Sequence, residues 1–223
     1  MKLLIVALSF SLIAIAFGSY LLIGKPKTVE AETAANLLPE TVKFRIDASK
    51  SRFMVYADRT GVLYFKGRSH QIAVRDFDGE AALSLSALNP ASVVLNIRAE
   101  SLEETSAVYT QKEKDIINGE LKGIVLETGK YPAITFKSDE VKGEFRDGHF
   151  DIKIGGDITL HGVTRHIVIP ATVTAEGETL HAKGEFSLDR KKFNVNATNA
   201  FHGTVRIKHK LNFTFDIVGE RVK

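Results

Sequence analysis

From Thr41 to the C-terminus the chain alternates apolar and polar residues with a period of two. Val42, Phe44 and Ile46 are interleaved with Lys43, Arg45 and Asp47, and beyond Ala48-Ser49-Lys50 the alternation resumes at Phe53 and Val55. Val93, Leu95 and Ile97 repeat it, as do Leu180, Ala182, Gly184, Phe186 and Leu188. The longest run lies near the C-terminus, where Val205, Ile207, His209, Leu211, Phe213, Phe215 and Ile217 alternate with Arg206, Lys208, Lys210, Asn212, Thr214 and Asp216. Successive side chains of a strand point to opposite faces, so each run has one apolar face and one wetted face. Long, one-sided strands of this kind belong to antiparallel sheets and barrels.

The segment Asp157–Pro170 reads as a hairpin. Ile158 and Leu160 share a face of one strand, Ile167 and Ile169 a face of the next, and His161-Gly162 lies between them. Gly162 can take the positive φ that a tight reversal needs. Further turn signals are Asp78-Gly79, Asn89-Pro90, Asp147-Gly148, Gly155-Gly156 and Glu176-Gly177. Only Gln111–Leu126 departs from the strand pattern. Its Ile116, Ile117, Leu121, Ile124 and Val125 recur at helical spacing, and Gly119 and Gly123 predict one or two short helices rather than a single rod. The expected fold is an all-β antiparallel barrel with a short helical insert, placed to cap an open end.

The first 40 residues stand apart. After Met1-Lys2, the stretch Leu3–Gly24 contains no charged residue. It is long enough to cross the ~30 Å hydrocarbon core as a helix. A cleavable signal peptide has a shorter apolar region of about 7–15 residues. Residues 1–24 are therefore expected to be a transmembrane signal-anchor helix in preference to a cleaved signal peptide, and either reading implies export. Residues 25–40 carry Pro26, Pro39, Glu30, Glu32 and Thr33-Ala34-Ala35 without apolar periodicity, which is linker composition. Residues 41–223 make a single barrel domain. The expected location is periplasmic or extracellular, with anchoring to the inner membrane through the N-terminal helix.

Composition narrows the chemistry. The chain has 223 residues, a net charge of +3 and no cysteine, so disulfides and thiolate metal sites are excluded. It has no G-x-S-x-G elbow, no dinucleotide-binding glycine motif and no P-loop. Glu103, Glu104 and Glu113 sit in polar segments and read as a solvated face. His161, His166, His70, His202 and His209 could meet around a metal, yet none is part of a short-spaced ligand motif. His209, on the apolar face of the last run, reads most simply as a core or pocket histidine. The basic residues Arg190-Lys191-Lys192, Arg206, Lys208 and Lys210 have no interleaved aromatic stacking platforms, which argues against nucleic acid. A solvated face attracted to anionic headgroups explains them more simply.

Several stretches resemble one known family. Thr159-Leu160-His161-Gly162-Val163-Thr164-Arg165 is similar to the signature hairpin of the YceI-like family, and Tyr131-Pro132-Ala133-Ile134-Thr135-Phe136-Lys137-Ser138 to one of its strands. Ser51-Arg52-Phe53, Phe77-x-Gly79 and Leu188-Asp189-Arg190-Lys191-Lys192-Phe193-Asn194-Val195 fall in the family's order. Gly67-Arg68-Ser69-His70 keeps only the glycine and last histidine of the Gly-His-Asp-His element common among relatives. The resemblance implies a lipocalin-like barrel that binds polyisoprenoids and related lipids. On that basis the wall of the lipid site is expected to comprise Phe53, Val55, Leu95, Ile97, Ile134, Phe136, Ile158, Leu160, Phe186, Leu211, Phe213 and Phe215. The expected function is carriage or sequestration of an isoprenoid or similar long apolar chain, without catalysis, cofactor or bound metal. Expected partners are that lipid, the membrane through the N-terminal segment, and a second copy in a homodimer. The rival readings are a histidine-dependent metal or redox protein of the envelope, and a structural envelope protein that binds a membrane partner through the barrel surface.

Overall fold

Alternation becomes a closed wall. A computed structural model describes residues 41–84, 88–198 and 204–222, so the expected anchor helix and linker lie outside the described residues. Among the described residues no helix is long and apolar enough to cross a membrane. The strands are β1 (Thr41–Ile46), β2 (Arg52–Ala57), β3 (Arg59–Thr60), β4 (His70–Val74), β5 (Phe77–Ser84), β6 (Leu88–Arg98) and β7 (Leu102–Glu104). They continue as β8 (Ala133–Arg146), β9 (His149–Leu160), β10 (Val163–Glu176), β11 (Thr179–Asp189), β12 (Arg206–Ile207) and β13 (Lys210–Arg221).

The main sheet runs β1-β5-β6-β8-β9-β10-β11-β13, and β13 pairs back onto β1, which closes an eight-stranded antiparallel barrel. β2, β4 and β7 extend its first three positions beyond short breaks and pair with β13 and each other in the same order. The break after β1 has a local cause. Asp47 accepts the Ser49 N–H at 2.9 Å and caps a turn of 3₁₀ helix over Ala48–Lys50 before β2 resumes. All of these pairings fall within Pro39–Lys223, which is a compact unit by itself.

Two apolar clusters divide the interior. Val42, Phe44, Leu83, Val141, Phe150, Val173 and Leu180 fill one end, with Phe44 0% exposed. Phe53, Ile72, Ile97, Ile134, Ile158, Leu160 and Leu188 belong to the cluster at the other end. Partly buried Ile154, Ala182 and Phe215 pack against both clusters.

Between β7 and β8 the chain leaves the wall. Helix α1 (Gln111–Glu120) starts at a capping box, in which Glu113 N–H donates to Thr110 Oγ1 and Thr110 N–H donates to Glu113 Oε2. It widens into a π-helical turn over Leu121–Val125, so the expected break at Gly119 is absent; the reversal comes later, at Glu127, whose φ is +46°.

Some turn signals prove to be strand interior. Asp78-Gly79 lies within β5, Asn89-Pro90 within the start of β6 and Gly155-Gly156 within β9. Gly156 faces a register shift in β8 between Ser138 and Glu140, and a Cβ there would stand 2.4 Å from Lys137 O. Here glycine marks close approach of two backbones rather than reversal. The long C-terminal run is also interrupted. Arg206–Ile207 pairs with Arg59–Thr60 as a separate ribbon, Lys208 N–H donates to Asp58 O, and His209 is exposed in the bend before β13. The expected core or pocket placement of His209 is therefore corrected: side-ribbon pairing draws residues 206–208 off the barrel wall.

Candidate functional site

The cavity-end cluster is hollow. Strand ends from β2, β4, β6, β8, β9, β11 and β13 meet around a cavity of about 180 Å³, and α1 with its π-turn closes the side where β7 and β8 do not pair. Nine of the twelve residues expected on the wall line it: Phe53, Val55, Ile97, Ile134, Ile158, Leu160, Phe186, Leu211 and Phe213. Leu95, Phe136 and Phe215 belong to the same apolar cluster but do not line the cavity. Leu95 lies beside Gly79 towards the filled end, Phe136 packs against Gly156, and Phe215 joins the two clusters. Alternation assigns a face, and all three share the face of the lining residues at a different depth along the barrel.

Aromatic rings fix part of the wall. Phe186 and Phe213 sit opposite one another on β11 and β13 and stack at 4.8 Å with planes 10° apart. Phe53 meets Phe213 at 6.4 Å and, edge-on, Phe77 at 6.2 Å. None of these rings carries a polar atom, so the surface they form makes no hydrogen-bond demand of a ligand.

The residues missing from the expected wall come mostly from short or helical elements. Ile72 and Val74 on β4, Leu102 on β7 and Ile117, Leu121, Val125 and Leu126 of the insert all line the cavity. The helical spacing of the insert pointed to one apolar face, which is the available signal for them. Leu188 belongs to a run already read as alternating.

The polar lining is sparse and tightly bound. His70 faces the cavity, and its Nδ1 is 2.8 Å from Glu104 Oε2. Glu104, 3% exposed, also accepts the N–H groups of Gln71 at 3.1 Å and Ser106 at 2.8 Å. Burial pushes its carboxyl upward, but the hydrogen bonds from His70, Ser106 and Gln71 outweigh this and hold it below the usual carboxylate value. The expectation of a solvated Glu104 is thus corrected, because β7 pairs its backbone with β4 and turns the carboxylate inward. The His70 ring stacks on Tyr109 at 5.4 Å, and burial, followed by the Glu104 charge, raises the Tyr109 hydroxyl to about 12.

Arg190 also lines the cavity and is 7% exposed. Its guanidinium donates to the main-chain carbonyls of Val195 at 2.8 Å, Ile207 at 3.1 Å and Lys208 at 3.2 Å. Burial pushes its pKa down, against the upward pull of Asp189. At the rim, Thr198 Oγ1 donates to Glu120 Oε2 at 3.0 Å.

The hairpin histidine lies elsewhere. His161 and Gly162 form a two-residue turn with φ of +52° and +73°, joining β9 to β10 through the Leu160–Val163 pair. His161 Nε2 is 2.8 Å from Glu127 Oε2, its ring rests 4.2 Å from that of Tyr131, and its buried Nδ1 has no partner. His166 is exposed beside Asp139, and His202 lies outside the described residues. Among the described residues no group of three or more His, Cys, Asp or Glu converges as a metal site.

A family model described as the YceI-like domain matches residues 44–218. The chain belongs to the YceI-like family. A UPF0312 protein of Vibrio cholerae is 29% identical over 156 residues, covering 70% of this chain and 74% of its own length. A second UPF0312 protein from that species is 33% identical over 118 residues, where the chain spans only 54% of the relative. Protein YceI of Escherichia coli is 30% identical over 129 residues, or 54% of this chain and 61% of that one. Among solved structures, Burkholderia cenocepacia BcnA superposes with a TM-score of 0.61 at 18% identity, covering 78% of this chain and 98% of BcnA. A polyisoprenoid binding domain from Saccharophagus degradans gives 0.59 at 15% identity, with 80% and 98% covered. These two likenesses establish the YceI-like barrel as a shared fold.

Proposed function

We propose that this YceI-like chain is an exported binding protein, not a catalyst, that holds part of an isoprenoid or similar long apolar chain inside its barrel for carriage or sequestration. The observation behind this reading is the cavity, walled by aliphatic and phenylalanine side chains at one end of a barrel whose other end is filled. Membership of the family, and the polyisoprenoid-binding neighbour with the same fold, support the ligand class. The uncharged Leu3–Gly24 stretch supports export and tethering at the inner membrane.

At about 180 Å³ the cavity is smaller than the roughly 300–1,000 Å³ common for drug-sized ligands, so it suits a segment of a chain, with the remainder leaving through the mouth. Each buried CH₂ contributes ~0.8 kcal/mol, and ten such groups about 8 kcal/mol. That corresponds to a Kd on the order of 1 μM before ordering costs.

The test is to purify the full chain, extract it with organic solvent and identify the released compounds by mass spectrometry. An isoprenoid recovered in stoichiometric yield is the expected result. Extracts no richer in apolar compounds than those of an unrelated protein purified alongside would overturn the proposal.

A further inference from the structure

The loops that rim the cavity expose large apolar side chains while carrying an excess of positive charge. Val62, 83% exposed, Tyr64 and Phe65, 62% exposed, stand on the loop between β3 and β4; Val108, Ile116 and Ile124 stand on or beside the helical insert. These six are most of the exposed large apolar residues among those described, and only Phe145, Val168, Val94 and Val222 lie elsewhere. Solvation does not favour such a concentration at one end of a barrel.

These elements are physically joined around the mouth. Leu63 N–H donates to Thr204 O, β3 pairs with β12, and Arg68 Nη1 donates to Val108 O at 2.8 Å. Arg190 binds the carbonyls of Ile207 and Lys208 and itself lines the cavity. The rim segments 58–69, 189–198 and 204–210 together carry nine Lys or Arg against two Asp, although the whole chain is only +3. Residues 105–128, which carry Val108, Ile116 and Ile124, hold three Lys against four Asp or Glu, so the positive charge is concentrated around Val62, Tyr64 and Phe65. Lys66, Lys191, Lys192 and Lys210 are exposed to solvent.

We infer that the cavity end of the barrel docks on an anionic phospholipid bilayer, with Tyr64 and Phe65 entering the interface and the surrounding lysines and arginines meeting the headgroups. Charge complementarity selects a lipid surface of this kind, since apolar side chains ringed by basic residues combine the two attractions that hold a peripheral protein in the interface. Continuity with the cavity gives docking a purpose, because an apolar chain would pass from bilayer to barrel without crossing water. That purpose rests on the function proposed above; the docking itself does not.

The test is co-sedimentation of the Pro39–Lys223 unit, which lacks the apolar N-terminal stretch, with vesicles of phosphatidylglycerol or of phosphatidylcholine. Binding to phosphatidylglycerol is expected to exceed binding to phosphatidylcholine and to weaken as salt shortens the Debye length from ~10 Å at 0.1 M to ~3 Å at 1 M. Tyr64→Ser with Phe65→Ser should weaken binding by roughly tenfold or more, and Lys191→Gln with Lys192→Gln by about thirtyfold at low salt. Phe145→Ser, at an exposed ring by the β8–β9 turn, should leave it unchanged. Equal binding to both vesicles, no binding, or an equal loss with Phe145→Ser would overturn the inference. Extraction of lipid from the purified full chain separates the two proposals: docking by a barrel that yields no lipid supports this one and sinks the other, and lipid recovered from a barrel that does not dock does the reverse.

Discussion

Replacing Arg190 with methionine tests whether the cavity mouth depends on one buried cation. The guanidinium spans three carbonyls, those of Val195, Ile207 and Lys208, and so ties the turn after β11 to the chain entering β13. A hydrogen bond to a charged group contributes about 1.5–3 kcal/mol, so three would give about 4.5–9 kcal/mol if they were independent. Methionine also removes the several kcal/mol cost of keeping a cation out of water, which offsets much of that. A net loss of about 2–4 kcal/mol follows, and at about 2–4 °C per kcal/mol for a domain of this size the melting temperature should fall by roughly 4–16 °C. Arg190→Lys keeps the charge without the planar fork and should recover only a minor part. Thermal melts followed by circular dichroism read the global effect, and hydrogen exchange at Lys208 N–H, which is bonded to Asp58 O, reads the local one. A shift under about 2 °C would mean that the three carbonyls find water as good a partner, and full rescue by lysine would mean that the planar fork is not needed; either result would refute the reasoning.

The remaining predictions use other parts of the same wall. Gly162→Ala puts a Cβ 2.7 Å from Tyr131 Cε1 at a φ of +73°, and should lower stability by about 1–3 kcal/mol in a urea titration. Because the chain has no tryptophan, Phe213→Trp introduces a single indole into the cavity wall. Its emission should be blue-shifted, and a quinone bearing an isoprenoid tail should quench it while a tail-less quinone at equal concentration should not. The Glu104 carboxyl is held below its ordinary value of 4.5, so its contribution to stability is complete above that value and is lost as pH falls through its folded pKa. Melting temperatures taken from pH 7 down to pH 3 should therefore fall less steeply for Glu104→Gln than for the parent, from a lower start at pH 7.

The strand content was legible because alternation is a direct consequence of backbone geometry. β11 and β13 obey it over most of their length, and their inward residues sit side by side on these neighbouring strands, Leu188 with Leu211 and Phe186 with Phe213. The reversal at His161-Gly162 was equally legible. Dipeptides containing glycine were less so, because the same Gly-x chemistry serves a turn at Asp147-Gly148 and close strand approach at Gly155-Gly156. His209 was misplaced because period two carries parity across a bend without recording it. The departure at residues 206–209 is set by long-range partners, Asp58 and Arg190, which local pattern does not contain.

The site shows the same limit in sharper form. Parity says whether a residue points inward, but depth along the barrel decides whether it meets a cavity or a packed core. Leu95 and Ile97 have the same parity on β6, yet only Ile97 lines the cavity, because Leu95 lies one pleat nearer the filled end. The polar groups follow the opposite rule: Glu104 and Arg190 occur in charged stretches that read as solvent-facing, and they are buried because every accepting or donating atom found a main-chain or histidine partner. A carboxylate and a guanidinium satisfied by the fold itself leave an apolar cavity whose polar groups are already engaged, so under the proposed function shape and chain length would outweigh the headgroup in selecting a ligand. The charge that could recognise a headgroup sits outside, on the rim.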